Sequence, residues 1–242
     1  MRVPPIFIPR DQRSRYLYLL LWLVGYLLAS AVAEEAGGKL WLMDLLFIGV
    51  LMATLRAVSR TPREFQATVL VGGLAVATAL LALAFPDPHI LAARAILGAC
   101  FTGFLSVVIL REVLQGGTID VDKIYGAVCA YLLVGVCWAG IYSFLEQIRP
   151  GSLTLPAAAA GRATGSRAEL FLYFSFVTLA TLGYGDILPT VPTTRTLAWM
   201  EAVFGQFYIA VLVARLVGLI ELGAAGGGAG RGAGGGAGRR EP

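Results

Sequence analysis

The sequence predicts an all-α membrane protein with six transmembrane helices and one shorter re-entrant helix. Of its 242 residues, 57% are hydrophobic and only 14% are charged, against about 25% charged residues in an ordinary soluble domain. A mean hydropathy of +0.76 demands more buried surface than a globule of this size offers, unless lipid covers part of it. Six apolar runs are long enough to cross about 30 Å of hydrocarbon. This composition excludes a conventional soluble enzyme.

The basic residues lie between the apolar runs and are not gathered on one face. The net charge of +4 therefore does not indicate a nucleic-acid partner. It indicates an orientation in the lipid bilayer, because cytoplasmic loops carry most of the Lys and Arg. Twelve basic residues fall at the N-terminus and after every second run, against five in the alternate segments. We expect both termini to be cytoplasmic in a multi-pass protein of the plasma (cell inner) membrane.

The six runs are residues 16–33, 40–55, 67–85, 90–110, 124–145 and 196–220. In the first run, the Ala-Val-Ala at 31–33 also allows a signal peptide, but the run is longer than a usual signal-peptide core and further spans follow it. The second run is short and contains Asp44, which makes it the weakest of the six. The third is stopped by Pro86 and Pro88, which cannot continue a helix.

These runs divide the chain into five parts. The parts are a cytoplasmic N-terminus (1–15), a peripheral bundle of four transmembrane helices (16–111), a cytoplasmic linker (112–123), a domain built on the last two spans (124–221), and a Gly/Ala/Arg tail (222–242). The composition of the tail is typical of disorder. None of the N-terminal or intervening segments is long enough for a soluble regulatory domain, so any sensor of nucleotide, calcium or redox state is expected to be another polypeptide or absent.

Residues 168–181 form an apolar stretch of helical length that is too short to cross the bilayer. Its neighbours both meet the outer side, so it has to enter the membrane and return. Non-helical backbone at membrane depth is tolerated only where it is buried in protein or lines a watery cavity. A pore is the natural place for such a segment.

Directly after this stretch, residues 181–186 read Thr-Leu-Gly-Tyr-Gly-Asp. This motif resembles the selectivity filter of potassium channels, and a chance match in this composition is on the order of one in ten thousand. The resemblance extends over residues 124–220. It implies an outer helix (124–147), a turret (148–167), a pore helix (168–181), the filter (181–186) and an inner helix (196–220), with four chains around one axis.

The chemistry of such a filter explains its residue types. Backbone carbonyls replace the water around a potassium ion, and Gly183 and Gly185 permit the unusual backbone conformations that this requires. The resemblance implies that the Thr181 hydroxyl adds a ligand at the inner mouth, that Tyr184 packs outward, and that Asp186 anchors the outer mouth. The filter residues that would bind ions are Thr181, Leu182, Gly183, Tyr184 and Gly185, with K⁺ as the permeant ion and no cofactor.

The chain departs from the family pattern behind the filter. Leu182 replaces the usual Val or Ile, and Val177 stands where some relatives have a glutamate. The resemblance implies that Tyr173, in the aromatic cuff around the filter, hydrogen-bonds Asp186. Glu201 is predicted to brace the re-entrant helix from behind and so to compensate for the missing acid at Val177. The alternative for Glu201 is a carboxylate that only reaches the outer interface, since a charge inside a span is costly.

The inner helix carries the candidate gating residues. Gly205 falls where this helix often bends in the family, although glycine also permits close packing in membranes. Val213 and Val217 are candidates for a narrow constriction, with Gln206 and Ile209 nearer the cavity.

The fourth run carries a single arginine, Arg94, whereas a voltage sensor needs several gating charges. We therefore do not expect steep voltage dependence. Asp44 and Arg94 enter their spans at similar depth, so the sequence predicts an ion pair between them. The alternative is that each side chain extends separately to the interface.

These features together predict a homotetrameric potassium channel that conducts K⁺ passively across the lipid bilayer. The alternatives are a weakly selective cation channel, and a non-conducting sensor or transporter built on the same pore. No nucleophile, base or metal cluster converges in the sequence, so an enzyme is not expected.

Overall fold

The computed structural model describes residues 15–35, 49–50, 54, 62–85, 87–115, 121–156 and 167–229. Its helices are α1 (Arg15–Glu35), α2 (Pro62–Ala84), α3 (Pro88–Leu114), α4 (Val121–Ile148), α5 (Ala168–Leu179) and α6 (Pro192–Ala229), and its strands are β1 (Leu153–Thr154) and β2 (Leu188–Pro189). Within these residues, four helical stretches are long and apolar enough to cross a membrane: Gln66–Ala84, Pro88–Leu114, Val121–Ile148 and Pro192–Ala214. The chain is therefore a multi-pass helical protein.

Four of the six predicted spans are confirmed as apolar helices of sufficient length. The first run forms α1. The second run, residues 40–55, lies almost entirely outside the described residues, which include only Gly49, Val50 and Thr54 of it, each helical. The total of six spans stays a prediction.

Several helix ends differ from the predicted boundaries. Helix α3 continues to Leu114 and α4 begins at Val121, so the predicted linker 112–123 is partly helical. Helix α6 begins at Pro192, because proline is tolerated in the first turn of a helix. It continues to Ala229, although residues 222–242 were predicted to be disordered. Extending an existing helix avoids the cost of nucleation, which explains why the helix enters the tail.

Helices α3 and α4 pack along their length and approach each other through small residues. A methyl group added at Gly140 would lie 2.9 Å from the Cβ atom of Ala99, so only glycine permits this separation. In the same interface, Ser106 donates a hydrogen bond of 3.0 Å to the carbonyl oxygen of Ala130. Helix α1 packs against α4 on another side. Helix α4 thus connects the peripheral helices to the last two helices of the chain.

An ion-pair cluster that the sequence analysis did not predict joins three helices at one end of the helix bundle. The Arg15 side chain at the start of α1 contacts Glu112 near the end of α3 and Asp122 in the first turn of α4. Asp122 also accepts a hydrogen bond of 3.0 Å from the backbone amide of Tyr16. These contacts fix the helix ends relative to one another.

The predicted turret contains regular structure that an all-α prediction omitted. Strands β1 and β2 pair antiparallel, with Leu153 opposite Pro189. The buried Glu146 carboxylate at the end of α4 accepts hydrogen bonds from the backbone amides of Gly151 and Ser152, each at 2.9 Å. The strand pairing and the hydrogen bonds of Glu146 hold the end of α4 beside the segment that precedes α6.

Candidate functional site

Helix α5 is the short apolar helix that the sequence predicted to be re-entrant, and it contacts both α4 and α6. Its side chains Phe171, Leu172 and Phe174 belong to a buried apolar cluster with Tyr142 of α4. The rings of Tyr142 and Phe174 meet edge to face, with centroids 4.9 Å apart. The helix is therefore positioned by packing within the single chain.

A buried polar cluster ties α5 to both neighbouring helices. Glu201 of α6 is 0% exposed, and its carboxyl oxygens accept hydrogen bonds from Tyr142 of α4 at 2.7 Å and from Ser175 of α5 at 2.5 Å. Ser175 also lies 2.8 Å from the carbonyl oxygen of Gly135. Glu201 thus contacts α5, the helix that it was predicted to brace. Its burial contradicts the alternative of a carboxylate at the outer interface.

Gly205 lies on the same buried face of α6, one turn beyond Glu201. A methyl group added at Gly205 would overlap the carbonyl oxygen of Leu179, the last residue of α5. The same carbonyl oxygen accepts a hydrogen bond of 3.4 Å from the Tyr131 hydroxyl. Close packing against α5 therefore requires glycine at this position, whether or not the helix also bends there.

We refer to residues 181–186 as the filter segment. Backbone hydrogen bonds join the start of this segment to the end of α5. The amide of Thr181 donates to the carbonyl oxygen of Thr178 at 2.9 Å, and the amide of Leu182 donates to the carbonyl oxygen of Val177 at 2.8 Å. These bonds end the helix at Leu179, two residues before the predicted boundary. The filter segment thus starts at a fixed position.

The backbone of the filter segment alternates in handedness. Thr181, Gly183 and Gly185 have positive φ angles of 57°, 58° and 79°, while Leu182 and Tyr184 between them keep negative φ. The sequence predicted unusual backbone at the two glycines. It did not predict the positive φ of Thr181, a conformation that β-branched residues rarely adopt.

The outer end of the filter segment is held by a side-chain hydrogen bond. The Tyr173 hydroxyl donates to the Asp186 carboxylate at 2.6 Å, so the predicted contact is present. This bond stabilises the ionised carboxylate and holds the pKa of Asp186 below its ordinary value of 3.8. The carboxylate is therefore ionised at neutral pH.

The candidate site has two sides. We call α5 and the buried Glu201 cluster the back of the site, and the exposed residues of the filter segment its front, where Leu182 is 57% exposed and Tyr184 67%. On the front, Gln206 of α6 donates a hydrogen bond of 3.0 Å from Nε2 to the Thr181 hydroxyl. The contact between Gln206 and Thr181 was not predicted.

The other predicted residues lie away from the filter segment or outside the described residues. Ile209 and Val213 are exposed on α6, and the side chain of Val217 lies outside the described residues. Asp44 also lies outside them, so the predicted pair with Arg94 stays a prediction. Arg94 lines a cavity of about 130 Å³ between the peripheral helices and α4, together with Tyr26, Ser143 and Gln147.

Sequence reasoning missed the partners of Glu201 and the role of Glu146. Tyr142 and Ser175 are separated from Glu201 by 59 and 26 residues, so nothing local in the sequence links them. For Glu146, a carboxylate at the end of an apolar run just before a Pro-Gly turn was a usable signal.

Comparison with known proteins agrees with this geometry. A family profile described as "Ion channel" matches residues 130–221. Over 125 residues, the chain is 30% identical to Protein LctB of Bacillus caldotenax, and the matched region covers 48% of this chain and 92% of that protein. Over 90 residues, it is 34% identical to Two-pore potassium channel 5 of Arabidopsis thaliana, and the matched region covers 37% of this chain and 19% of that protein. The chain belongs to the potassium channel family.

The chain is also 34% identical over 86 residues to Two pore potassium channel a of Oryza sativa subsp. japonica. It is a channel protein by family and not an enzyme. The chain spans about a fifth of the length of the plant channels that it matches. The matched region includes α5, the filter segment and most of α6, which are the elements that build the candidate site.

Proposed function

We propose that this chain is the subunit of a potassium-selective channel that conducts K⁺ passively through a ring of four filter segments. The observation that carries the proposal is the alternation of φ at Thr181, Gly183 and Gly185. In an extended strand, successive carbonyls point to opposite sides, whereas an alternation of left-handed and right-handed residues turns them to the same side. Four such rows around an axis supply the oxygen ligands that replace the hydration shell of potassium.

The re-entrant helix supports conduction through its electrostatics. The C-terminal end of α5 lies at the first residue of the filter segment. The carbonyl end of a helix carries a partial negative charge, which stabilises a cation nearby. In the proposed channel, four helix ends face the water-filled cavity below the filter.

The exposure of α6 supports assembly from several copies. In the most apolar stretch of α4, 44% of the residues are buried, against 17% in that of α6. Large side chains on the open surface of α6 include Trp199, Phe204 and Phe207. In the proposed homotetramer, neighbouring copies cover part of this surface as well as Tyr184, whose ring then fixes the radius of the filter.

We place the six-span subunit in the plasma membrane with both termini cytoplasmic, on the distribution of Lys and Arg. Gating is assigned to the inner helix at Gly205, Gln206, Ile209, Val213 and Val217. Steep voltage dependence is not proposed, because the fourth run supplies only Arg94 as a gating charge.

The test is ion flux through the purified protein in liposomes, comparing K⁺ with Na⁺. We expect a strong preference for K⁺ that is lost in Tyr184→Ala, because the ring no longer holds the filter at its radius. The matched control is Tyr18→Phe on the exposed side of α1, which should keep the preference. Equal flux of the two ions through the wild-type protein would contradict potassium selectivity and indicate a weakly selective cation channel.

A further inference from the structure

A cavity lies where the peripheral helices meet α4 and α5, and no residue of the filter segment lines it. Its volume is about 130 Å³. The backbone of α3 leaves room on this side, because a methyl group added at Gly98 would meet no atom within 4 Å. A cavity of about 150 Å³ holds a single benzene ring. The cavity is therefore large enough for a compact ligand and too small for a membrane lipid.

Two contacts fix the register of α3 against α4 beside the cavity. A methyl group added at Gly126 would lie 3.1 Å from Val113, and one added at Gly140 would lie 2.9 Å from Ala99. Residue numbers thus fall along α3 as they rise along α4, so the two helices are antiparallel. The first turns of α3 and the last turns of α4 therefore lie at the same end of the bundle.

The cavity is polar at that end and apolar further in. Arg94, in the second turn of α3, lines it together with Ser143 and Gln147, which lie one turn apart on α4. Toward the middle of the bundle, the walls include Ala99 and Val136. One end of the cavity therefore offers a positive charge and hydrogen-bond donors, and the remainder offers an apolar surface.

The guanidinium group of Arg94 is suited to hold a carboxylate. It carries five N–H donors in a planar fork, and two of them match the two oxygens of a carboxylate. The ion pair predicted with Asp44 would use only part of this fork, so the remaining donors can serve a second acceptor. The Ser143 hydroxyl and the Gln147 amide at the same end are further donors of the kind that a carboxylate accepts.

We propose that this cavity binds a small carboxylate with an apolar body, about the size of benzoate. The carboxylate contacts Arg94, and the ring packs against the small side chains further in. Ala168 and Leu172, in the first turns of α5, line the same cavity. The ligand therefore bridges the peripheral helices and the helix that leads into the filter segment, at a site separate from that segment.

Benzoate binding to the purified full-length protein in lipid nanodiscs, titrated by ligand-observed NMR, tests the site. Benzamide has the same ring without the charge, and it should bind about tenfold more weakly, the loss expected for a charge-assisted hydrogen bond. Arg94→Gln should weaken benzoate binding by about tenfold or more for the same reason. Gly98→Leu keeps the guanidinium group and fills the cavity, and it should abolish saturable binding.

Two matched controls should bind benzoate like the wild type. Arg111→Gln removes an exposed arginine near the other end of α3. Gly73→Leu adds a leucine at an exposed position of α2, where an added methyl group meets nothing within 4 Å.

None of these measurements needs an open pore, so this site and the proposed function can fail separately. Weaker benzoate binding in Arg94→Gln and Gly98→Leu, with both controls unchanged, supports the site. The absence of saturable binding to the wild type overturns it, as does unchanged binding in Gly98→Leu, which would place benzoate outside the cavity. Unchanged benzoate binding in Arg94→Gln, or equal affinity of the wild type for benzamide, would show that the charge is not recognised and overturns the proposal of a carboxylate ligand.

Discussion

The back and the front of the candidate site differ in how well their side chains are buried and hydrogen-bonded within a single chain. On the back, the carboxyl group of Glu201 is fully buried and bonded to both Tyr142 and Ser175. On the front, Leu182 and Tyr184 are more than half exposed, although both are large apolar or aromatic residues. The back is built from residues of α4, α5 and α6 of the same chain, whereas the front still has apolar surface to cover.

This difference follows from the cost of burying polar groups. A carboxyl group without partners is expensive in an apolar interior, so its hydrogen bonds have to form when the single chain folds. Exposed apolar and aromatic side chains do not need hydrogen-bond partners when the single chain folds. They can become buried later, when another copy of the chain binds. Substitutions on the back should therefore lower the stability of the chain, while substitutions on the front should change assembly and ion binding.

The largest effect is expected from Gly205→Ala on the back. The added methyl group overlaps the carbonyl oxygen of Leu179, and a backbone atom cannot rotate out of the way. We expect the free energy of unfolding to fall by about 3 kcal/mol. The matched control is Gly73→Ala in α2, where an added methyl group meets nothing within 4 Å; alanine is the better helix former there. Equal stability of the two variants in denaturant titrations would contradict the close approach of α6 to α5.

Glu201→Leu should have the next largest effect, because leucine keeps most of the volume and removes both acceptors. The hydroxyl of Tyr142 then loses its partner in the protein, and Ser175 keeps only the carbonyl of Gly135. We expect a loss of about 2 kcal/mol in the free energy of unfolding. Glu201→Gln keeps one acceptor oxygen and should restore part of this loss. A leucine variant as stable as the wild type would be inconsistent with the buried hydrogen bonds.

A smaller effect, about 1 kcal/mol, is expected from Ser175→Ala, which removes one hydroxyl from the cluster. The informative measurement is a double-mutant cycle with Glu201→Leu. Because the two side chains share a hydrogen bond, the double variant should lose less stability than the two single variants together. Strict additivity would mean that the two residues do not interact.

The sequence predicted the parts of the site that depend on local pattern. The order of apolar runs, the re-entrant helix and the glycine positions all follow from residue type and spacing. The Glu201 cluster could not be predicted in the same way. The sequence predicted that Glu201 contacts the neighbouring helix, but its partners Tyr142 and Ser175 lie on other helices and depend on how those helices pack. The same holds for Gln206, whose contact with Thr181 depends on the rotation of α6. The pairing of β1 with β2 was missed because two-residue strands have no periodicity to detect.

At the outer end of the filter segment, Tyr173→Phe should have the smallest effect, and it acts through pH. The hydrogen bond from Tyr173 holds the pKa of Asp186 below 3.8, so its contribution is fully present above that pH and is lost as external pH falls through the lowered pKa. Without the hydroxyl, the pKa should return upward toward 3.8. Potassium flux should therefore be lost at a higher external pH in Tyr173→Phe than in the wild type, with little change at neutral pH. Tyr18→Phe controls for the loss of a hydroxyl elsewhere. An unchanged acid midpoint in Tyr173→Phe would mean that this bond does not hold the outer end of the filter segment.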